Sequence, residues 1–335
     1  MGIPFSIRKA TPANVGPFLV QSYFCGRPKW SEQEIPDLAG QVAVVTGGNA
    51  GLGKQTVRAL LQHNAKVYMA CRSRVKAEAV IAELKELTGK EAIFLEMDLA
   101  DLASVKRAAD EFLSKEERLN ILYNNGGIMC PPIELVSKDG FDLTFGTNVV
   151  GHFYLTKLLL PALRAAAVAD ASTGGRVVNL TSNAHYIAVP RYDTFKDGPA
   201  RKKKLTPGDA YFQSKWANAV FAMELARRYG EEGIVSSAVN PGNLKTELAQ
   251  STRGLLSLST STLMIWPVEW GVLGQLWAGT SPEGAQLNGK YVAPWAKHGK
   301  ARADVYDSKT GGELWAWLEG QMPAEALKDE VVSTS

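Results

Sequence analysis

The chain has 335 residues, 45% of them hydrophobic, enough to bury the core of one large α/β domain or two smaller ones. Its 37 basic and 34 acidic residues are spread along the sequence for a formal charge of +3, so composition gives no general reason to expect nucleic-acid binding. Cys25, Cys71 and Cys130 are widely spaced and odd in number, which fits a reducing, cytoplasmic setting better than a disulfide framework.

Residues 1–30 lack the basic start and long apolar core of a secretory signal, and Pro4, Pro12, Pro17 and Pro28 interrupt them. Residues 1–37 therefore read as an irregular arm. β-rich runs follow at 42–46, 66–71, 92–97, 119–123, 176–180, 235–239 and 290–293. Helical patterns lie between them at 53–63, 74–87, 102–113, 141–163, 211–229 and 268–278. Such alternation predicts an α/β fold of one domain over 38–322, a doubly wound seven-stranded parallel sheet with helices on both faces and a flexible tail at 323–335. The run Arg201-Lys202-Lys203-Lys204 sits among Asp197, Gly198, Pro199, Pro207 and Gly208 and reads as an exposed loop. Residues 255–278 are the most membrane-like, but Pro267 and Glu269 at the centre and several Ser and Thr argue against a span.

The first strand runs into Thr46-Gly47-Gly48-Asn49-Ala50-Gly51-Leu52-Gly53 before the first helix. Glycines at a strand-to-helix turn let a pyrophosphate reach the backbone and the helix N-terminal N–H groups, so Thr46, Gly47, Asn49, Gly51, Leu52 and Gly53 are candidates to hold a dinucleotide, and the fold is of the Rossmann kind. About twenty residues on, where folds that use NAD place an acid for the ribose, stands Arg72, with Arg74 nearby. A guanidinium there suits a 2′-phosphate, which predicts NADP(H) over NAD(H). The third strand ends in Asp98-Leu99, where a carboxylate can accept from the adenine amino group, and the fourth in Asn124-Asn125-Gly126-Gly127. Turn chemistry alone also favours these residue types, but their recurrence at successive strand ends favours a ligand. Pro241-Gly242-Asn243-Leu244-Lys245-Thr246 follows the sixth strand, where a tight turn can bring Leu244 and Thr246 against a nicotinamide carboxamide.

Tyr211 and Lys215 stand one helical turn apart and share a face. A phenol with an ordinary pKa of about 10 serves as a base at neutral pH only if a fixed cation stabilises its phenolate. His185, three residues after Ser182, suggests a serine nucleophile with a histidine base. No Gly-x-Ser-x-Gly elbow surrounds that serine, however, and the pair leaves the glycine turn unexplained. His63, His152 and His298 are scattered, so no metal site is expected. Asn148, among Phe145, Val149 and Phe153, reads by itself as a polar residue of a buried helix.

Together these motifs resemble the short-chain dehydrogenase/reductase superfamily over residues 38–295, in the family's order: the turn at 46–53, Asp98-Leu99, 124–127, Asn148, Ser182, Tyr211 with Lys215, and Pro241-Gly242. The segments 34–38 and 289–295 look like a branch common in filamentous fungi, near the retinol-dehydrogenase-like members, many of which are thought to work in secondary metabolism. The resemblance implies that Tyr211 is the acid/base of hydride transfer, that Lys215 lowers its pKa and bonds the nicotinamide ribose, and that Ser182 donates to the substrate oxygen. It implies that Asn148 holds a water linking Lys215 to solvent. Gly126 stands where the family has alanine, and Thr181 precedes Ser182 in place of a serine. The gap from Ser182 to Tyr211 is about twice the usual length, so 183–210 is expected to loop out and shape the substrate entrance. With Trp266, Trp270 and Trp277, residues 255–278 suggest a lid for an apolar carbonyl or alcohol. Helices around Asn148 and Tyr211 offer surfaces for a homodimer. Two other readings stand beside the oxidoreductase: an NADP-binding regulator without turnover, and a peripheral membrane protein acting on lipids with the arm and 255–278 on the bilayer.

Overall fold

Strand β1, Val42–Thr46, is buried at every position, and its side chains alternate between two cores. Val42 and Val44 face one side of the sheet while Ala43 and Val45 face the other, the pattern of a strand covered on both faces. The computed structural model describes residues 11–170, 174–244 and 266–323. From β1 the chain crosses through α2 (Gly51–Gln62) to β2 (Lys66–Cys71), then through α3 (Arg74–Thr88) to β3 (Ile93–Glu96). It returns through α4 (Leu102–Leu113) to β4 (Ile121–Asn124) on the other side of β1. Strand β5 (Gly175–Leu180), β6 (Ile234–Val239) and β7 (Lys290–Ala293) extend the sheet outward. The order β3-β2-β1-β4-β5-β6-β7 reverses between β1 and β4, so a crevice opens there at the carboxyl ends of the strands.

Seven strands were expected, all parallel; among the described residues the sheet has eight. Strand β8, Lys297–Gly299, pairs antiparallel with β7 after a tight turn in which Trp295 and Ala296 take φ of +66° and +55°. Three residues, Lys-His-Gly, carry no β pattern, and β7 creates the strand by offering an edge.

The helix expected over 141–163 is a composite. One turn at Leu143–Phe145 passes through a π-helical turn, Gly146–Val150, into α5, Gly151–Ala169. Asp142 caps its start by accepting from Phe145 N–H at 3.0 Å. Helix α7, Pro207–Tyr229, begins a turn before Tyr211 and ahead of the predicted boundary, because Thr206 accepts from Asp209 N–H at 3.1 Å and donates to its carboxylate at 2.7 Å. Proline at the first helical position completes that start.

Two further expectations are corrected. The arm is not irregular throughout its described residues: α1, Pro12–Tyr23, is a helix docked on the body of the protein. Nor does 183–210 simply loop out. It forms 3-10 turns at Asn183–Ile187 and Tyr192–Thr194 and the short helix α6, Pro199–Lys204. Within it Phe195 stacks on Phe145 at 3.8 Å, a contact worth about 1 kcal/mol beyond its area. The basic run belongs to α6, and Arg201 is wholly buried against Asp142 while the three lysines after it are exposed. A helix turns only some of four consecutive residues inward, so the run is not a uniformly solvated loop.

Helix α8, Val268–Thr280, packs on α2, and α9, Ser308–Glu319, closes the opposite face. Trp315 of α9 meets Phe153 of α5 at 5.0 Å and Phe221 of α7 at 6.0 Å. The helix surfaces expected to pair two copies are thus partly covered by α9 of the same chain. No helix among the described residues is long and apolar enough to cross a membrane.

Candidate active site

The crevice between β1 and β4 holds a cavity of about 250 Å³. One wall is the turn after β1, Gly47 and Asn49–Gly53; the facing walls are Asn125–Ile128 after β4, Leu180 and Thr181 at the end of β5, Tyr211 and Lys215 of α7, and Pro241. Gly47 takes φ +64°, and a Cβ there would stand 2.9 Å from the Gly126 Cα. A Cβ on Gly53 would collide with the Gly47 carbonyl and approach the Asn125 amide to 2.7 Å. Glycine is therefore required for this close approach of two turns, which leaves a backbone-lined cradle.

Thr46, expected to touch a cofactor, is wholly buried and lies behind the cavity. Its Oγ1 accepts from Asn125 N–H at 2.9 Å and Gly126 N–H at 2.7 Å, tying the β4 turn to β1. The Asn125 side chain donates to the Thr46 carbonyl at 2.7 Å, and its buried Oδ1 has no partner. Asp98 and Leu99 also lie off the cavity wall. The Asp98 carboxylate accepts from Ala100 N–H at 2.9 Å, and a Cβ on Gly126 would lie 3.0 Å from the Leu99 side chain. Arg72 follows β2 directly and is exposed, outside every ion pair found among the described residues. Arg74 is engaged elsewhere, with Glu78 at 3.6 Å, Glu96 at 3.3 Å and the Phe94 ring at 4.5 Å. Gly242 takes φ +80° with Trp295 packed against it, and Leu244 is buried under α8. Thr246, and 255–265 of the expected lid, lie outside the described residues. The tryptophans of the remainder do gather: Trp266 stacks on Trp270 at 5.4 Å and meets Trp295 edge-on at 5.6 Å.

Tyr211, Lys215 and Ser182 come together. Ser182 stands close enough to the Tyr211 hydroxyl to lower its pKa, and Lys215 Nζ lies 5.7 Å from the Tyr211 ring centre. Lys215 is buried and donates to the Leu180 carbonyl at 3.1 Å. Burial dominates both titrations. It pushes the Tyr211 phenol up to about 12, against the lowering by Ser182, and brings the Lys215 ammonium down to about 8. The sequence led to the opposite expectation for the tyrosine, and the protein's own groups leave it a firmly protonated acid.

Asn148 sits in the π-helical turn with its carboxamide fully used. Its Nδ2 donates to the Ile128 carbonyl at 3.0 Å and to Ser214 Oγ at 3.1 Å, and its Oδ1 accepts from Ile128 N–H at 2.9 Å. These bonds hold the β4 turn against α7, so the side chain has no free donor for the water assigned to it from resemblance. His152, passed over in the sequence, completes this frame. Its Nδ1 lies 3.0 Å from the Asn148 carbonyl and so carries the proton, and Nε2 accepts from Thr46 Oγ1 at 2.8 Å. Burial lowers its pKa to about 4 and keeps it neutral. Its spacing of four from Asn148 was the available signal.

His185 is no base for Ser182. Its Nδ1 bonds the Ser182 carbonyl at 2.6 Å and its Nε2 accepts from Arg302 N–H at 3.2 Å, so neither nitrogen faces the hydroxyl. No cluster of metal-ligating side chains occurs among the described residues.

A family model described as short chain dehydrogenase matches residues 41–198. A short-chain dehydrogenase/reductase of Armillaria gallica is 52% identical over 303 residues, 90% of this chain and 97% of its own. One from Phomopsis amygdali is 36% identical over 318 residues, 88% of this chain and 93% of its own. Among solved structures, an uncharacterized protein of Mycobacterium paratuberculosis matches with a TM-score of 0.68 at 30% identity, over 87% of this chain and 97% of its own.

Proposed function

This chain belongs to the short-chain dehydrogenase/reductase family, and on that footing we propose that it is an NADP(H)-dependent oxidoreductase acting on the carbonyl or secondary alcohol of an apolar small molecule. The observation that carries the reading is the placement of Tyr211 and Lys215, with Ser182 beside the tyrosine, on the wall of a cavity whose opposite wall is a glycine cradle.

The residues present fit a dinucleotide. A Cβ would fill the cradle at Gly53, and the buried Asn125 Oδ1 stands unpartnered beside it. Gly47, Asn49, Gly51, Leu52 and Gly53 would hold the pyrophosphate with their N–H groups, and Asn125, Gly126, Lys215, Pro241 and Gly242 the nicotinamide half. Arg72, at the end of β2 and outside the ion pairs of the described residues, supports NADP(H), because its fork suits a 2′-phosphate. When bound, the cofactor supplies or takes the hydride.

Tyr211 gives the proton. With burial holding its phenol near 12, it is protonated at neutral pH, the state an acid needs when a carbonyl oxygen gains negative charge. Ser182 and Tyr211 converge on that oxygen as hydrogen-bond donors. The ammonium of Lys215, buried on the same face, stabilises the phenolate left behind. Asn148 and His152 keep the turn after β4 in register with α7 and β1.

The test is a panel of apolar ketones and secondary alcohols followed by NADPH absorbance, with Tyr211→Phe as the paired variant. Tyr211→Phe should abolish turnover and leave NADPH binding largely intact. Unchanged turnover would remove Tyr211 from the chemistry.

A further inference from the structure

Helix α1 is bonded to both ends of the turn that follows β6. At the first end stands Asn240, buried, whose Oδ1 accepts from Gly242 N–H at 3.0 Å and so bends the chain around Pro241. Its Nδ2 donates to Gln21 Oε1 at 2.9 Å, and the Tyr291 hydroxyl of β7 donates to the same oxygen at 2.6 Å. Gln21 Nε2 in turn donates to the Tyr186 hydroxyl at 3.0 Å, and that hydroxyl donates to the Lys300 carbonyl. A backbone carbonyl only accepts and a backbone N–H only donates, so the sense of every bond from Lys300 to Gly242 is fixed, including which end of each amide faces its neighbour. At the far end of the turn, Asn243 Oδ1 accepts from Asn183 Nδ2 at 3.2 Å, and that nitrogen lies 2.5 Å from Ser22 Oγ. Ser22 spends its single proton on the Phe18 carbonyl at 2.6 Å, so toward Asn183 it accepts. The Ser22 carbonyl takes the Trp266 indole N–H at 3.2 Å, and the Trp266 backbone N–H donates to the Asn243 carbonyl at 3.1 Å.

Pro241 lines the cavity, and Gly242 beside it is pressed so closely on Trp295 that a Cβ would stand 2.8 Å from the indole ring. We propose that Gln21 is a positioning residue for the nicotinamide: by accepting from Asn240 it locks the amide that shapes the Pro241 turn, and α1 thereby sets one wall of the cofactor site. Glutamine suits the task because one oxygen takes two donors, from Asn240 and Tyr291, while the nitrogen anchors the amide on Tyr186. Methionine has nearly the same length and supplies neither group. In its place the Asn240 amide and the Tyr291 hydroxyl are buried with a donor unspent, and Asn240 is free to turn away from Gly242. The effect is confined to one end of the site. Among the described residues α1 makes no hydrogen bond to the glycine turn after β1 or to Arg72, so the pyrophosphate cradle and the expected 2′-phosphate partner do not depend on Gln21.

The inference rests on the cavity being an NADP(H) site and is tested by calorimetric titration with NADPH and with 2′-phospho-ADP-ribose, which keeps both riboses, the 2′-phosphate and the pyrophosphate but lacks the nicotinamide. The ratio of the two affinities reports the nicotinamide alone. In Gln21→Met that ratio should fall about fivefold or more, the worth of buried donors left unpaired, with NADPH weakened and the fragment changed by less than about twofold. Gln21→Glu keeps the accepting oxygen and should hold the ratio within about twofold of the unsubstituted chain. Leu19→Ala, at a position of α1 that is 43% exposed, should leave it in place. A residue that only docks α1 would, when replaced, lower the unfolding temperature and weaken both ligands alike. An unmoved ratio in Gln21→Met therefore overturns the proposal, as does an equal loss in Gln21→Glu or a ratio close to unity in the unsubstituted chain. Should Gln21→Met not fold, Tyr186→Phe, which frees the Gln21 amide from its anchor, should lower the ratio about two- to threefold, and an unmoved ratio there overturns the proposal instead. If the unsubstituted chain binds neither NADPH nor NADH, the functional reading fails and this inference falls with it. Preference for NADH would refute only the choice of cofactor, and the pair then becomes NADH and ADP-ribose. Tight NADPH binding beside an unmoved ratio in Gln21→Met refutes the inference alone.

Discussion

Replacing Arg201 by methionine should cost this protein about 3–5 kcal/mol, the range for stripping one partner from a buried ion pair. Arg201 has no exposed side-chain surface and Asp142 only 3%. The guanidinium lies 3.1 Å from the Asp142 carboxylate, bonds the Ile133 carbonyl, and reaches Asp197 with two nitrogens at 3.2 and 3.0 Å. Methionine keeps most of the stem's volume and leaves Asp142 buried with its cap to Phe145 but no cation. Burial already holds the Asp142 carboxyl above the usual carboxylate range, with Arg201 pulling it down, so in the variant it rises further. A group whose folded pKa is raised contributes stability below its unfolded pKa of about 4 and loses it as pH rises through the folded value. The deficit should therefore be full at pH 7 and shrink in acid. Urea unfolding followed by tryptophan fluorescence at about pH 7 and pH 5, extrapolated linearly, measures both. Adding Asp142→Asn, which keeps a cap but removes the charge, should restore more than half of the loss. A cost under about 1 kcal/mol, or one equal at both pH values, would refute the account of how 183–210 is anchored.

Arg72→Asp should shift cofactor preference from NADPH toward NADH, read as the ratio of kcat/KM values; an unchanged ratio takes Arg72 out of the site. Gly53→Ala should weaken NADPH binding at least about tenfold by fluorescence titration, because the new methyl meets the Gly47 carbonyl and the Asn125 amide and forces the two turns apart. Lys215→Met should abolish turnover yet stabilise the fold at pH 7. Burial lowers the lysine from 10.5 to about 8, so the unfolded chain binds the extra proton between those values and stability rises with pH across that window. The corresponding cost at neutral pH is about 3 kcal/mol. Equal unfolding free energies for the variant and the unsubstituted chain at pH 7 would show that the ammonium is not desolvated.

Strands β1 to β7 were readable because each is apolar on both faces, a property carried by consecutive residues. Helix α1 was not, since Pro12, Gly16 and Pro17 weaken any local helical signal and its stability comes from partners far along the chain. Gln21 finds Asn240 and Tyr291, and Ser22 finds Asn183, contacts that exist only once the sheet has formed. The same reason hid Arg201: beside three lysines it reads as solvated, and only the placement of Asp142 against α6 gives the buried charge a counterion.

The chemical residues were legible through motif and order, but their electrostatics were not. Tyr-x-x-x-Lys places a phenol and an ammonium on one face, and from that spacing alone the cation should acidify the phenol. Spacing does not report desolvation, which here raises the tyrosine and neutralises part of the lysine's charge. Nor does it report who holds the serine's proton. That proton is set by Asn183, whose orientation is dictated by a hydroxyl of α1 lying 161 positions earlier in the chain. The segment before the glycine turn, read from sequence as a leader, is therefore tied through Ser22 to Asn183, which accepts from the Ser182 hydroxyl.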